Sequence, residues 1–149
     1  MCINTNKLNL VKLPKSFWPG VRYSLVTTQR IDEDDDYIVE HLGRLVREGG
    51  YNARNRYVQR VNSEWLLDCR AYRRIVSGAV VCDPLCKQCV NCRVVRIPGT
   101  LRMALSPARS IDKGEHILAS YGDLDYWSYY PNIVRTRFPL CKHRCPDVL

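Results

Sequence analysis

The chain has 149 residues, 46% of them hydrophobic, which suits one compact domain with a core and excludes a disordered chain. No apolar run reaches the ~18 residues of a membrane helix, and the polar N-terminal stretch lacks the apolar centre of a secretory signal. We therefore expect a nuclear or cytoplasmic protein with no membrane partner, whose net charge of +8 favours anionic partners.

Short runs with strand character recur along the chain, separated by turn residues, and predict a mostly β domain of several small sheets. Asn62-Ser63 splits two of these runs as a tight turn, and Pro98-Gly99 ends another. The stretches 39–48 and 70–76 are also compatible with helix, whereas the tail 131–149 is irregular. The predicted strands are 22–28, 37–42, 57–61, 64–69, 92–97, 101–105 and 115–121.

Arginines crowd the stretch 44–74. Such a stretch suits contact with nucleic acid or chromatin, and the alternative is an ordinary solvated basic face. The acidic run 32–36 opposes this trend and is predicted as an exposed turn, with a docking patch for a basic peptide as the alternative. The arginines are Arg44, Arg47, Arg54, Arg56, Arg60, Arg70, Arg73 and Arg74.

The chain contains eight cysteines, which is many for a protein without a secretory signal. In that setting reduced thiols or metal ligation are favoured over disulfides. Closely spaced thiolates can share one tetrahedral zinc, and the alternative is a set of free buried thiols. The clustered cysteines are Cys82, Cys86, Cys89 and Cys92, followed near the C-terminus by the pair Cys141 and Cys145.

The most informative stretch is 110–127. A polar turn from Asp112 to Glu115 leads into an apolar run that places Tyr121 directly before Gly122. A tyrosine at the end of a buried strand, beside a glycine that permits close approach, is typical of a binding or catalytic site.

Three blocks of the chain, in order, resemble the SET domain, the fold of protein lysine methyltransferases. The first, 29–46, consists of Arg30-Ile31, an acidic turn and the run 37–45, which is similar to the family's strand ending in Glu-Tyr-x-Gly-Glu. The second is Tyr57 followed by Trp-Leu-Leu-Asp-Cys at 65–69, and the third is the stretch 110–127. The resemblance covers roughly residues 20–130.

The resemblance implies a SET-domain fold of several small β-sheets with a knot-like C-terminal crossing. Residues 1–19 are then an N-terminal extension, 20–130 the SET-like domain, and 131–149 a cysteine-containing tail similar to the family's post-SET segment. The implied activity is methyl transfer from S-adenosylmethionine to lysine side chains in the basic tail of a protein substrate, with histone as the family's default.

By the same resemblance, Tyr121 is the main catalytic candidate and Tyr57 a second residue lining the lysine channel. Tyr126 and Trp127 are candidates to stack on the adenine ring of the cofactor. Tyr57 is also explained as a half-buried strand residue, and Trp127 as a cap on the core.

Two cofactor-binding motifs of the family are altered here. Arg22 and Ser24 occupy the positions of its Gly-x-Gly, with Gly20 two residues earlier. The stretch 85–92 stands where the family has Asn-His-Ser-Cys-x-Pro-Asn-Cys, and only Asn91 and Cys92 match. These departures favour an alternative, a catalytically inactive SET-like module that binds chromatin or a protein partner. A third interpretation is a zinc-stabilised basic β domain that binds nucleic acid.

Post-SET tails in this family share a zinc ion with a cysteine of the domain. The resemblance therefore implies a zinc site that joins the cluster at 82–92 to the tail. No role is assigned to His116 or His143, and Asp68 is expected to cap a turn or pair with Arg73 or Arg74. The predicted ligands are drawn from Cys86, Cys89, Cys92, Cys141 and Cys145.

Overall fold

The computed structural model describes residues 3–50, 55, 57–121 and 138–143. The mostly β architecture predicted from the sequence is confirmed, with the strands arranged in small antiparallel sheets. The regular helical segments of this part are short 3-10 turns at Thr5–Lys7, Arg70–Tyr72 and Gly78–Val80. The strands are β1 (Leu8–Lys12), β2 (Tyr23–Thr27), β3 (Val39–His41), β4 (Arg44–Arg47), β5 (Val58–Arg60), β6 (Trp65–Asp68), β7 (Cys92–Arg96) and β8 (Met103–Pro107).

The strands of the described residues form three antiparallel sheets: β1–β2, β3–β8–β7 and β4–β6–β5. The main core lies between the first two sheets and includes Leu25 and Leu105, both with no exposed surface. A smaller core joins the third sheet to the second, where Leu67 and Met103 pack together. The strand residues at these positions are leucine and methionine, whose apolar side chains suit the buried side of a sheet.

Part of the stretch before Gly20 belongs to the first sheet. Strand β1 pairs with β2 along its whole length, with Leu10 opposite Leu25. Trp18, in the connection between the two strands, is 1% exposed. Gly20 therefore lies within the connection of the β1–β2 hairpin, and residues on both of its sides contribute to the core.

The helix considered for 39–48 is wrong, because this stretch contains two complete strands, β3 and β4. Gly43 separates β3 from β4. A Cβ atom at Gly43 would lie 2.7 Å from the carbonyl oxygen of Asp68, which belongs to β6. Only glycine therefore lets the link between β3 and β4 approach β6 this closely. The stretch 70–76 contains one 3-10 turn, Arg70–Tyr72, and does not contain a helix longer than this.

The predicted strand 115–121 does not form a regular strand. It is instead held by isolated bridges, in which Leu118 pairs with Cys82 and Ala119 pairs with Cys92, both in parallel orientation. Ile117 also donates its backbone N–H to Leu25 at 2.9 Å. The segment 116–119 therefore contacts three different parts of the chain, and these contacts fix the position of Tyr121 that follows.

Candidate functional site

Four potential metal ligands from two distant parts of the chain lie together: Cys86, Cys89, Cys141 and His143. Their ligand atoms all lie within 4.8 Å of one another. The Nδ1 atom of His143 is 3.7 Å from the Cys86 sulfur, 3.5 Å from that of Cys89 and 3.9 Å from that of Cys141. Tetrahedral coordination at the usual zinc distances would place a ring nitrogen about 3.6 Å from each sulfur. The cluster could therefore hold a metal ion.

A tight turn brings the first two thiols together. Cys89 donates its N–H to the Cys86 carbonyl at 3.0 Å, and both residues are at most 8% exposed. Leu85, directly before the turn, has a φ of +53°. This left-handed conformation costs a leucine about 1 kcal/mol, and the side chain of Asp83 supports it by accepting the Leu85 N–H at 2.8 Å.

The tail contributes the other two ligands and is anchored by an aromatic side chain. Phe138 is 9% exposed and packs against Trp18, with ring centroids 5.4 Å apart, and against His116, at 5.1 Å. Cys141 donates its N–H to the Phe138 carbonyl at 3.0 Å, which turns the chain so that its thiol meets the cluster. Trp18 also packs against both domain cysteines, so the metal cluster lies directly on this aromatic core.

The electrostatics of the cluster favour a cation. Burial, together with the neighbouring Cys141 and Cys86 thiols, raises the pKa of the Cys89 thiol. A thiol whose pKa is raised in this way stays protonated unless a cation takes the place of the proton.

Of the predicted metal ligands, Cys86, Cys89 and Cys141 are brought together, while Cys92 lies elsewhere. Its side chain has no exposed surface and its thiol donates to the Leu118 carbonyl at 3.3 Å in the main core. Burial raises the pKa of this thiol to about 12. Cys145 lies outside the described residues.

The sequence analysis missed His143 as a ligand. The signal that could have found it is its position in the sequence between two cysteines of the tail, Cys141 and Cys145.

Tyr121 is half-buried and fixed at two atoms by one short segment of chain. Its hydroxyl donates to the Val81 carbonyl at 3.1 Å, and its backbone N–H donates to Asp83 Oδ2 at 2.9 Å. The other oxygen of the Asp83 carboxylate accepts the N–H of Leu85. The segment 81–89 therefore positions Tyr121 and also supplies two of the four metal ligands.

The predicted cofactor residues Ser24 and Asn91 use their side chains inside the fold. Asn91 is 1% exposed, donates to the His116 carbonyl at 2.7 Å and accepts the Leu118 N–H at 2.9 Å. Ser24 is also 1% exposed, and its hydroxyl lies 2.7 Å from His116 Nδ1. Both side chains hold the segment 116–118 in place, whereas the side chain of Arg22 is exposed.

Tyr57 belongs to the smaller core beside the third sheet. Its ring packs with Leu67, Cys69 and Met103, and its carbonyl accepts the Cys69 N–H at 2.8 Å. The other aromatic candidates, Tyr126 and Trp127, lie outside the described residues.

His41, the last residue of β3, is a half-buried titratable residue whose ring is enclosed by the fold. Its ring lies against Gly78, where a Cβ atom would come within 2.6 Å of it. Burial lowers the pKa of His41 to about 4, so the ring is neutral near pH 7. Within the described ranges, its Nε2 atom has no hydrogen-bond partner.

Comparison with known proteins adds no relative. No protein-family model matches the sequence, and no curated protein matches it. In the part of the chain that the structure describes, no helix is long and apolar enough to cross a membrane.

Proposed function

We propose that the chain is a SET-type protein lysine methyltransferase whose catalytic region is organised around Tyr121 and a zinc ion. The observation that carries the proposal is the double attachment of Tyr121 to the segment 81–89, through the Val81 carbonyl and the Asp83 carboxylate. That segment also provides Cys86 and Cys89 to the metal cluster. An ion there would fix the same backbone that orients the tyrosine.

The hydroxyl of Tyr121 suits the handling of a lysine amine. Because its proton is directed to the Val81 carbonyl, the phenol oxygen keeps lone pairs that can accept an N–H from the amine. Such a contact orients the amine without introducing a charge, and alignment supplies most of the rate in a simple displacement. The substrate in this proposal is the basic tail of a protein, with histone as the first candidate.

S-adenosylmethionine would supply the methyl group on a positively charged sulfur. The described residues fit this cofactor in part. The exposed guanidinium of Arg22 could pair with the carboxylate of its amino-acid end, whereas the side chains of Ser24 and Asn91 are used within the fold. Those two positions would contribute through backbone atoms alone.

Zinc is the metal that the donor set favours. Three thiols and one imidazole suit a tetrahedral zinc site, and a site with four protein ligands leaves no position open for a reacting water. The proposed ion is therefore structural, and its task is to hold the tail residues Phe138 to His143 on the domain.

A methyl-transfer assay with mass-spectrometric localisation of the product tests the proposal. Zinc-loaded protein, labelled S-adenosylmethionine and core histones should give methylated lysine, and Tyr121→Phe should lower kcat about 100-fold or more. Tyr72→Phe, on an exposed loop, is the matched control and should leave the rate unchanged. Equal rates for Tyr121→Phe and the parent chain would exclude the assigned role of the hydroxyl.

The internal use of Ser24 and Asn91 favours a second candidate function, a SET-like module that binds chromatin or a protein partner without catalysis. This candidate predicts a stable zinc-bound protein with neither cofactor binding nor methyl transfer. Cofactor binding by zinc-loaded protein therefore separates the two candidates.

A further inference from the structure

The loop 70–75 is an exposed basic segment that neither the metal centre nor Tyr121 uses. Its sequence is Arg-Ala-Tyr-Arg-Arg-Ile, and every residue except the half-buried Arg73 is exposed. The ring-bearing side chain of Tyr72 is 36% exposed and that of Ile75 is 44% exposed. The loop thus combines three guanidinium groups with apolar surface.

Hydrogen bonds at both ends hold the loop in one conformation. The Tyr72 N–H donates to the Cys69 carbonyl at 2.9 Å, and the Ser77 hydroxyl donates to the Tyr72 carbonyl at 2.9 Å. Within the loop, Arg73 Nη1 donates to the Arg70 carbonyl at 2.8 Å. Because little conformational freedom remains to be lost, such a loop is prepared for binding.

The charges of this loop differ from those of the neighbouring sheet. On β4 and β5, each arginine has a carboxylate nearby: Arg44 Nη2 lies 3.9 Å from Asp68, and Arg60 Nη2 lies 2.9 Å from Glu48. Within the described residues, Arg70, Arg73 and Arg74 form no ion pair with a carboxylate. The Arg-rich stretch of the sequence is therefore neutralised on the sheet and remains positively charged on the loop 70–75.

The expected partner of Arg73 or Arg74, Asp68, is engaged elsewhere. Its Oδ1 atom accepts the Asn55 side-chain amide at 2.9 Å and the Arg70 backbone N–H at 3.1 Å, and its Oδ2 atom faces Arg44. Of the two alternatives expected for Asp68, the turn cap is the one observed, because this carboxylate caps the turn that begins the loop, and its arginine neighbour is Arg44 rather than Arg73 or Arg74.

We propose that the loop 70–75 is a binding site for single-stranded nucleic acid. Its arginines would contact successive phosphates, and the exposed ring of Tyr72 would stack on a base. Base faces are accessible in a single strand and are covered in a duplex, so the tyrosine favours the single strand. The positive loop would repel a basic protein tail, so this surface is separate from the proposed lysine substrate. The inference goes beyond the methyl-transfer proposal and does not depend on it.

Fluorescence anisotropy with a labelled oligothymidylate of about 15 nucleotides tests this site on the zinc-loaded protein. The triple variant Arg70→Gln/Arg73→Gln/Arg74→Gln should bind at least tenfold more weakly at moderate salt. The slope of a plot of log Kd against log salt concentration should fall by roughly 2 in this variant, because each of three lost contacts with a single-strand phosphate contributes about 0.7. Tyr72→Ala should weaken binding about tenfold at an unchanged slope, and Tyr72→Phe should bind as the parent does.

A matched control removes the same number of charges from other exposed positions. Arg93→Gln/Arg96→Gln/Lys113→Gln should keep most of the affinity, because those side chains lie away from the loop in sequence and on other elements. Equal weakening by the control and the loop variant would show a non-specific charge effect and overturn the proposal. Duplex DNA or polyglutamate that binds as tightly as the single strand would overturn it as well. An oligouridylate RNA of the same length should bind about as tightly as the oligothymidylate, since the loop would contact phosphates and base faces, which both nucleic acids have.

Discussion

Removal of the proposed zinc ion should release the described tail segment, 138–143, from the domain. The structure indicates what this release would cost. Phe138 would lose its burial, worth about 2 kcal/mol, and its ring contacts with Trp18 and His116, worth about 1 kcal/mol each. The total of about 4 kcal/mol corresponds to a fall in Tm of roughly 8–16 °C for a domain of this size.

Differential scanning calorimetry of zinc-loaded and chelator-treated protein measures this difference, and a colorimetric assay gives the zinc content. One zinc per chain is expected, and each tenfold rise in free zinc above the Kd should add about 1.4 kcal/mol to the free energy of unfolding. The variant His143→Ala should lose most of the increase in Tm that zinc produces, since it removes one of the four potential ligands.

Cys69→Ala is the control, because this buried thiol lies in the smaller core and donates to the Leu67 carbonyl. This variant should lower the Tm of both the zinc-loaded and the chelator-treated protein, and the difference in Tm between them should stay unchanged. Identical Tm values with and without zinc, or the same loss of this difference in Cys69→Ala as in His143→Ala, would refute the assignment of the metal site.

Three further predictions concern buried residues. Because the folded pKa of His41 is about 4 and the unfolded value is 6.5, the unfolded chain binds a proton that the folded chain excludes, so stability should fall as pH drops through this window. The stability lost between pH 7 and pH 5 should be about 2 kcal/mol when measured by denaturant titration, and His41→Gln should remove most of this loss. Gly78→Ala should lower the free energy of unfolding by about 2 kcal/mol, because the new methyl group would overlap the His41 ring. The double variant His41→Ala/Gly78→Ala should lose less stability than the two single variants added together. Strictly additive losses would contradict the contact between the two residues. Asn91→Ala should cost about 3 kcal/mol in thermal unfolding, since it leaves buried backbone groups of His116 and Leu118 unpaired, and a loss below 1 kcal/mol would argue against this role.

The strands that the sequence predicted well have strong local signals. Strand β6 follows a turn in which the Asn62 side chain accepts two backbone N–H groups, and β2 is a β-branched and aromatic run. In contrast, the strand break at Gly43 depends on the approach of the Asp68 carbonyl, twenty-five residues later in the sequence. Such a contact leaves no local pattern, so 39–48 was also compatible with helix.

The sequence predicted the metal cluster only in part, because here too some of the contacts join distant parts of the chain. Close spacing and the family resemblance suggested Cys86, Cys89 and Cys92 together, and a single tight turn brings only the thiols of Cys86 and Cys89 to the cluster. Cys92 was included by proximity in sequence, but it begins β7, where its side chain points into the main core. His143 depends on how the tail returns to the domain, and that path is set by Phe138 rather than by ligand spacing.

The roles of Ser24 and Asn91 illustrate a limit of motif comparison. A polar residue at a motif position predicts a ligand contact only if its side chain is free, and both of these side chains form hydrogen bonds within the fold. Their partners lie in the segment 116–118, which is distant in sequence, so the sequence alone could not show that they are engaged.

The most direct test of the methyltransferase proposal is a calorimetric titration of S-adenosylmethionine into the zinc-loaded protein. The proposal predicts one bound cofactor per chain, with weaker binding after chelation because release of the tail loosens the segment 81–89. Arg22→Gln should also weaken binding, while Arg93→Gln, an exposed arginine on β7, should not. Absence of any binding heat in protein that holds a full equivalent of zinc would contradict the enzyme proposal and leave the non-catalytic module as the function.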